Sequence, residues 1–258
     1  MKEFFGFGGY QRAAEGAFSW QHLTFVTALM AAMVFLAVWY GRRNRNAGER
    51  IKNIPLIWAA LLIDGVELLK IVMLCWRAES WKPCLYNLPL FLCSIQLITI
   101  PLAAFSKERL KESALDFVCI FGILGAVLGT YGATQNYSAY PVMSLDNVAS
   151  GITHTISGFA SLYIMIAGMA SMKKKNIGIT FGILLFFFVA AYITNLLVDY
   201  NYMFLMNHDG TPYSILYDLV GGSPVWYPAG VFLLFIVYIS LFYSIFFSVR
   251  KKKSAVNA

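Results

Sequence analysis

Seven apolar runs, each near the roughly 20 residues that a helix needs to cross a bilayer, leave this 258-residue chain little choice of architecture. They cover about 22–41, 54–76, 86–105, 115–134, 148–172, 177–200 and 226–248. In hydrocarbon a backbone must pair its polar groups within the segment, so runs of this length are helices. Charged residues make up 13% of the chain, about half the share found in soluble domains. The sequence therefore predicts an all-α, polytopic membrane protein with seven transmembrane helices. Residues 1–21 form an extracytoplasmic or interfacial segment, 22–248 the membrane domain, and 249–258 a basic cytoplasmic tail.

Charge sets the orientation. The connections after runs 1, 3 and 5, together with the tail, hold 15 of the 20 Lys and Arg residues. The N-terminus and the connections after runs 2, 4 and 6 hold only Lys2, Arg12, Arg77 and Lys82. Basic residues stay on the cytoplasmic side, so the N-terminus is expected outside and the C-terminus inside a cell membrane. The same clustering in short loops argues against a nucleic-acid surface, although the net charge is +7. Membrane lipids are the expected partners. No cofactor is expected, and no spacing of Cys and His suggests a metal.

One stretch conflicts with its surroundings. Leu61 to Lys70 reads LLIDGVELLK and places Asp64, Glu67 and Lys70 inside the second run. Each charge facing lipid near the bilayer centre costs roughly 2.5–3.5 kcal/mol, so other helices are expected to cover this side. Asp64 with Glu67, and Glu67 with Lys70, are three residues apart and share one helix face. They form either an acid–base group sharing a proton or an ion network that fixes packing.

The remaining intramembrane polar residues collect in the outer half of the bundle. They include His22 in run 1, Cys93 and Gln96 in run 3, His154 in run 5, and Asn195 and Asp199 in run 6, with Asn201 just beyond. Either they line a polar cavity open to the outer face, or each is satisfied locally as packing glue. Cys93 and His154 form a thiol–imidazole pair if runs 3 and 5 touch, since a thiol needs a base to become a nucleophile. Cys75 and Cys84 flank one short connection, as a disulfide or as two free thiols. The outer loop 201–225 carries its own apolar stretch, Ser214 to Val220, which reads as a short helix.

Several segments together resemble a known family. His22 opens run 1, Glu67 lies in run 2, and LPLFLCSI (Leu88 to Ile95) opens run 3. Tyr140 and Pro141 precede the run that contains His154. Asn195 leads to NYMFL (Asn201 to Leu205), then Pro212, SILYDLVGGSP (Ser214 to Pro224) and Trp226-Tyr227-Pro228. This order resembles the YwaF-type family of bacterial integral membrane proteins. That family is similar in turn to a eukaryotic multi-pass acyltransferase that places polyunsaturated acyl chains on ether phospholipids. The resemblance implies the multi-pass fold and an outer polar site with His154 and Glu67. It does not carry over a nucleophile, because Leu90 stands where the eukaryotic enzyme has its cysteine and Phe91 where a histidine follows.

Three functions remain open at this point. The first is transfer or hydrolysis of a lipid acyl group, with His154 as base, Glu67 or Asp64 orienting it, and either Cys93 as nucleophile or a hydroxyl or water activated directly by the base. Here His22, Asp64, Lys70, Gln96, Asn195, Asp199 and Asn201 would bind substrate. The second is binding or transport of a small polar solute or ion by Asp64, Glu67, Lys70 and Asn195. The third is a structural or accessory membrane protein.

Overall fold

A computed structural model describes residues 2–256, with the backbone alone for 249–256. Its α-helices are α1 Lys2–Phe5, α2 Trp20–Asn44, α3 Glu49–Arg77, α4 Lys82–Leu85, α5 Gln96–Phe105, α6 Glu108–Tyr131, α7 Thr134–Ala139, α8 Leu145–Ile166, α9 Ile177–Val198, α10 Ser214–Leu219 and α11 Trp226–Val256. Among the described residues there is no strand. The helices fall into two compact units, one ending at Ser171 and one starting at Met172.

Four helical stretches are long and apolar enough to cross a membrane: Trp20–Asn44, Glu108–Ala139, Lys174–Val198 and Trp226–Ser248. Helices α3 and α8 are comparably long but fall outside that set. The expected third span differs most. Residues 86–95 are turns, and the helix starts only at Gln96. Pro89 has no N–H to donate. The Ser94 hydroxyl accepts from the Phe91 amide at 2.9 Å and donates to the Phe91 carbonyl at 3.1 Å. Asn87 donates to the Pro83 carbonyl at 2.8 Å. Such local bonds offer the backbone an alternative to helix. The basic tail begins inside helix α11. Helix α11 continues through it to Val256, and residues 257 and 258 lie outside the described residues.

In the first unit, α6 packs on α8 through small residues. A Cβ on Gly122 would sit 2.6 Å from the Ser157 carbonyl oxygen, and one on Gly158 would sit 2.6 Å from the Ala126 Cβ. Small residues allow this approach and let hydroxyls bond across helices. Ser161 donates to the Cys119 carbonyl at 2.8 Å. Farther along, Asn44 of α2 donates to the Tyr163 hydroxyl of α8 at 3.0 Å, which donates to the Lys52 carbonyl of α3 at 2.8 Å. Three helices are thereby joined by one buried chain of hydrogen bonds.

A charged clasp holds the N-terminal segment to the other end of this unit. Arg77, the last residue of α3, grips Asp146 in the first turn of α8 with two hydrogen bonds of 2.9 and 3.0 Å. Tyr10 donates to the same carboxylate at 2.5 Å, and Glu15 accepts the Val142 amide at 2.8 Å. Burial first, then Asp146, push the Tyr10 phenol up from 10.0 to about 12. A raised pKa in the folded state favours the neutral phenol. Its contribution to stability is therefore complete below pH 10 and is lost as pH rises toward about 12. The melting midpoint of the wild-type protein is expected to fall across that window more steeply than that of Tyr10→Phe. Parallel curves would show that the phenol does not hold the segment.

In the second unit, Asn195 of α9 clasps the chain that follows. Its Oδ1 accepts the Tyr202 amide at 2.6 Å, and its Nδ2 donates to the Tyr202 carbonyl at 3.0 Å. Asp199 ends α9 in the left-handed region, with φ 51°. Asn201 accepts the Met206 amide at 2.8 Å and donates to the Asn207 carbonyl at 2.9 Å. Helix α10 occupies most of the apolar stretch Ser214 to Val220.

Candidate active site: a thiol and an imidazole seated on glycines

The broken stretch before α5 brings Cys93 against α6 and α8. On α6, Gly125 and Gly129 are four residues apart and so face one direction. A Cβ at Gly125 would lie 3.4 Å from the Cys93 Cβ, and one at Gly129 would lie 1.9 Å from the His154 ring. The two glycines are the floor on which the thiol and the imidazole meet.

The tautomer of His154 follows from its partners. Its Nδ1 lies 2.7 Å from the Ser150 carbonyl one turn earlier in α8. A carbonyl only accepts, so Nδ1 carries the proton, and in the neutral ring Nε2 keeps the lone pair. Nε2 is buried and completes no hydrogen bond of normal geometry among the described residues. The Cys93 thiol lies close enough to the His154 ring for electrostatic and side-chain hydrogen-bond interaction. The pair is thus in contact but not aligned, as catalytic hydrogen bonds often are without substrate. The amides of Cys93 and Ser94 point at the same sulfur. A thiolate formed here has a base for its proton and donors for its charge.

Lys70 of α3 is close enough to His154 to act on it electrostatically. It pairs with Glu67 at 2.6 Å, and the two side chains are only 15% and 12% exposed. Two of the three charges in LLIDGVELLK are covered as their cost requires. Asp64 is not: it is exposed and stands outside the pair. Lys70 reaches the acid three residues away, and Asp64 lies a further turn back. The partner that orients His154 is the Ser150 carbonyl, where the sequence had pointed to Glu67 or Asp64.

The other residues singled out by sequence have other neighbours. His22 is fully buried with both nitrogens in use. Nδ1 accepts the Phe18 amide at 3.0 Å, and Nε2 donates to the Thr130 carbonyl at 3.1 Å. It anchors the start of α2 to the end of α6 and offers nothing to a ligand. Gln96 is also fully buried, three residues after Cys93. Its Oε1 accepts from Thr99 at 3.1 Å, while its Nε2 has no partner among the described residues. Asn195, Asp199 and Asn201 belong to the second unit and shape the turn after α9.

Sequence reasoning passed over Gly125, Gly129 and Ser150. The glycines were findable: Gly122, Gly125, Ala126 and Gly129 form a small-residue ridge on one apolar helix, the usual mark of close helix approach. A comparison with family-wide sequence patterns matches residues 17–245 to the TMEM164 family. The chain belongs to the TMEM164 family. No curated protein and no solved structure matches it. Membership makes it a membrane-embedded, multi-pass protein, and the matched region holds every residue of the Cys93–His154 site.

Proposed function

We propose that this TMEM164-family protein transfers lipid acyl groups through a thioester on Cys93, with His154 as the general base. The observation that supports this most is the closeness of the Cys93 thiol to the His154 ring, whose Nδ1 is held by the Ser150 carbonyl, inside a helical membrane protein. Nε2 takes the thiol proton, and the sulfur attacks the carbonyl carbon of a phospholipid ester. The amides of Cys93 and Ser94 offset the charge at sulfur before attack. Collapse of the tetrahedral intermediate breaks the ester C–O bond, and the imidazolium returns its proton to the departing lysolipid oxygen. A second lysolipid hydroxyl then gives its proton to Nε2 and attacks the thioester, and the thiol is released. Water in place of that hydroxyl gives hydrolysis. Lys70 is the cation for the lipid phosphate. The resemblance to a eukaryotic ether-phospholipid acyltransferase carries over no nucleophile, so the role of Cys93 rests on its place beside His154.

The reading includes seven crossings in the cell membrane, with the N-terminus outside. The four long apolar helices, with α3, α5 and α8, supply them. Helix α5 has ten residues and spans only about 15 Å, half of the roughly 30 Å hydrocarbon core. The turns of residues 86–95 carry the chain through the other half. Irregular backbone at membrane depth survives only where protein covers it or it lines a cavity, which suits a reaction site at Cys93.

The test is acyl exchange by purified protein in liposomes, from phospholipid onto a labelled lysophospholipid. Wild type is expected to exchange. Cys93→Ser and His154→Gln are expected to lose at least about 100-fold. Full exchange by Cys93→Ser overturns the thioester. No exchange by wild type, with accumulation of a charged solute in the same liposomes, overturns the enzyme in favour of a transporter.

A further inference from the structure

A second pair of sulfurs lies outside the site. Cys75, two residues before the end of α3, and Cys84 in α4 have their Sγ atoms 3.3 Å apart. Both residues are half-buried and neither is in a disulfide. Backbone bonds already fold the chain back between them. The Ser80 amide donates to the Cys75 carbonyl at 3.1 Å, and the Cys84 amide donates to the Trp81 carbonyl at 2.9 Å. Glu79 takes the left-handed conformation that the reversal needs, with φ 48°. The turn therefore holds the sulfurs together before any bond joins them. A disulfide brings the sulfurs to about 2.05 Å, a closure of little more than an ångström from where they stand.

We propose that Cys75 and Cys84 are an oxidisable dithiol, closed into an intramolecular disulfide by exchange with an external disulfide such as oxidised glutathione. One thiolate attacks the external disulfide and expels one reduced thiol, leaving a mixed disulfide. The second thiolate attacks the protein sulfur of that bond and expels the other. Two thiol protons leave the protein, two electrons pass to the external disulfide, and two reduced thiols result. The Cys84 thiol is pushed up chiefly by its hydrogen bond to Cys75. The expected orientation puts this turn on the outer side, where disulfides persist. Closure fastens α4 to α3 at the head of the 86–95 connection that leads to Cys93. Cys119 is fully buried, and Cys93 lies beside an imidazole rather than a second thiol, so ring closure to an intramolecular disulfide is confined to this pair.

This inference does not depend on acyl transfer, and its test does not measure it. Full-length protein in lipid nanodiscs is incubated with oxidised glutathione, quenched in acid, alkylated and analysed by intact mass and peptide mapping. The expected result is the loss of two hydrogen atoms, mapped to a Cys75–Cys84 crosslink and reversed by dithiothreitol. Cys75→Ser and Cys84→Ser should each instead retain one glutathione on the remaining cysteine of the pair. Wild type that ends with stable glutathione adducts on Cys75 or Cys84, with a crosslink between chains at either, or with both thiols of the pair still free overturns the proposal.

Discussion

Replacing Gly129 with alanine unseats His154. The added Cβ would stand 1.9 Å from two atoms of the imidazole, Cδ2 and Nε2. The ring has little room to yield. Its other nitrogen is tied to the Ser150 carbonyl at 2.7 Å, and the Cys93 thiol lies beside it. Either that hydrogen bond breaks or α6 and α8 move apart. Overpacking of this kind costs about 1–3 kcal/mol, more than the roughly 1 kcal/mol that alanine gains over glycine in a helix. Gly129→Ala is therefore expected to lower the melting midpoint and to abolish acyl exchange. Gly125→Ala is the internal control. Its Cβ would meet the Cys93 Cβ at 3.4 Å, an ordinary contact, so the melt should stay within about 1 kcal/mol of wild type. Equal melts and equal exchange for Gly129→Ala and wild type would mean that the glycine does not seat the ring.

Removing the base makes the Cys93 thiol inert. A thiol reacts as its thiolate, and Nε2 of His154 is the group that takes its proton. A small uncharged alkylating reagent should modify Cys93 at least about ten-fold more slowly in His154→Gln than in wild type. Glutamine keeps a polar side chain of similar reach, so the loss is not simply that of a cavity. Cys119, fully buried on α6, should remain unreactive in both proteins. A reagent supplied from outside should reach Cys93 and spare Cys119. An unchanged Cys93 rate in His154→Gln removes the thiol–imidazole pair from the mechanism. Equal protection of both thiols in wild type counts against a site open to the outer face.

Much of the fold was legible because hydropathy acts locally. A run of some 20 apolar residues states its own need for helix, and the short helix between Pro212 and Gly221 could be read from its flanking breakers. Hydropathy did not reveal the break at 86–95. Residues such as Leu88, Leu90 and Phe91 are as apolar as any helix, and the competing hydrogen bonds of Asn87 and Ser94 carry no hydropathy signal. That break delivers Cys93 to the site.

Polar residues were legible as a set, but their tasks were not. His22 and His154 looked alike: each was one histidine in the outer half of an apolar run. In the fold, both nitrogens of His22 go to backbone, one of them to a carbonyl 108 residues away, while one nitrogen of His154 faces a thiol. Glu67 and Asp64 stood three residues apart on one helix face, yet only Glu67 meets Lys70 under cover. The sequence by itself determined an all-helical membrane chain and named the two members of the thiol–imidazole pair. Tertiary structure alone decided which polar atoms are left over after packing. A hydrogen bond is satisfied by whichever group the fold brings within about 3 Å, and no local pattern records that choice.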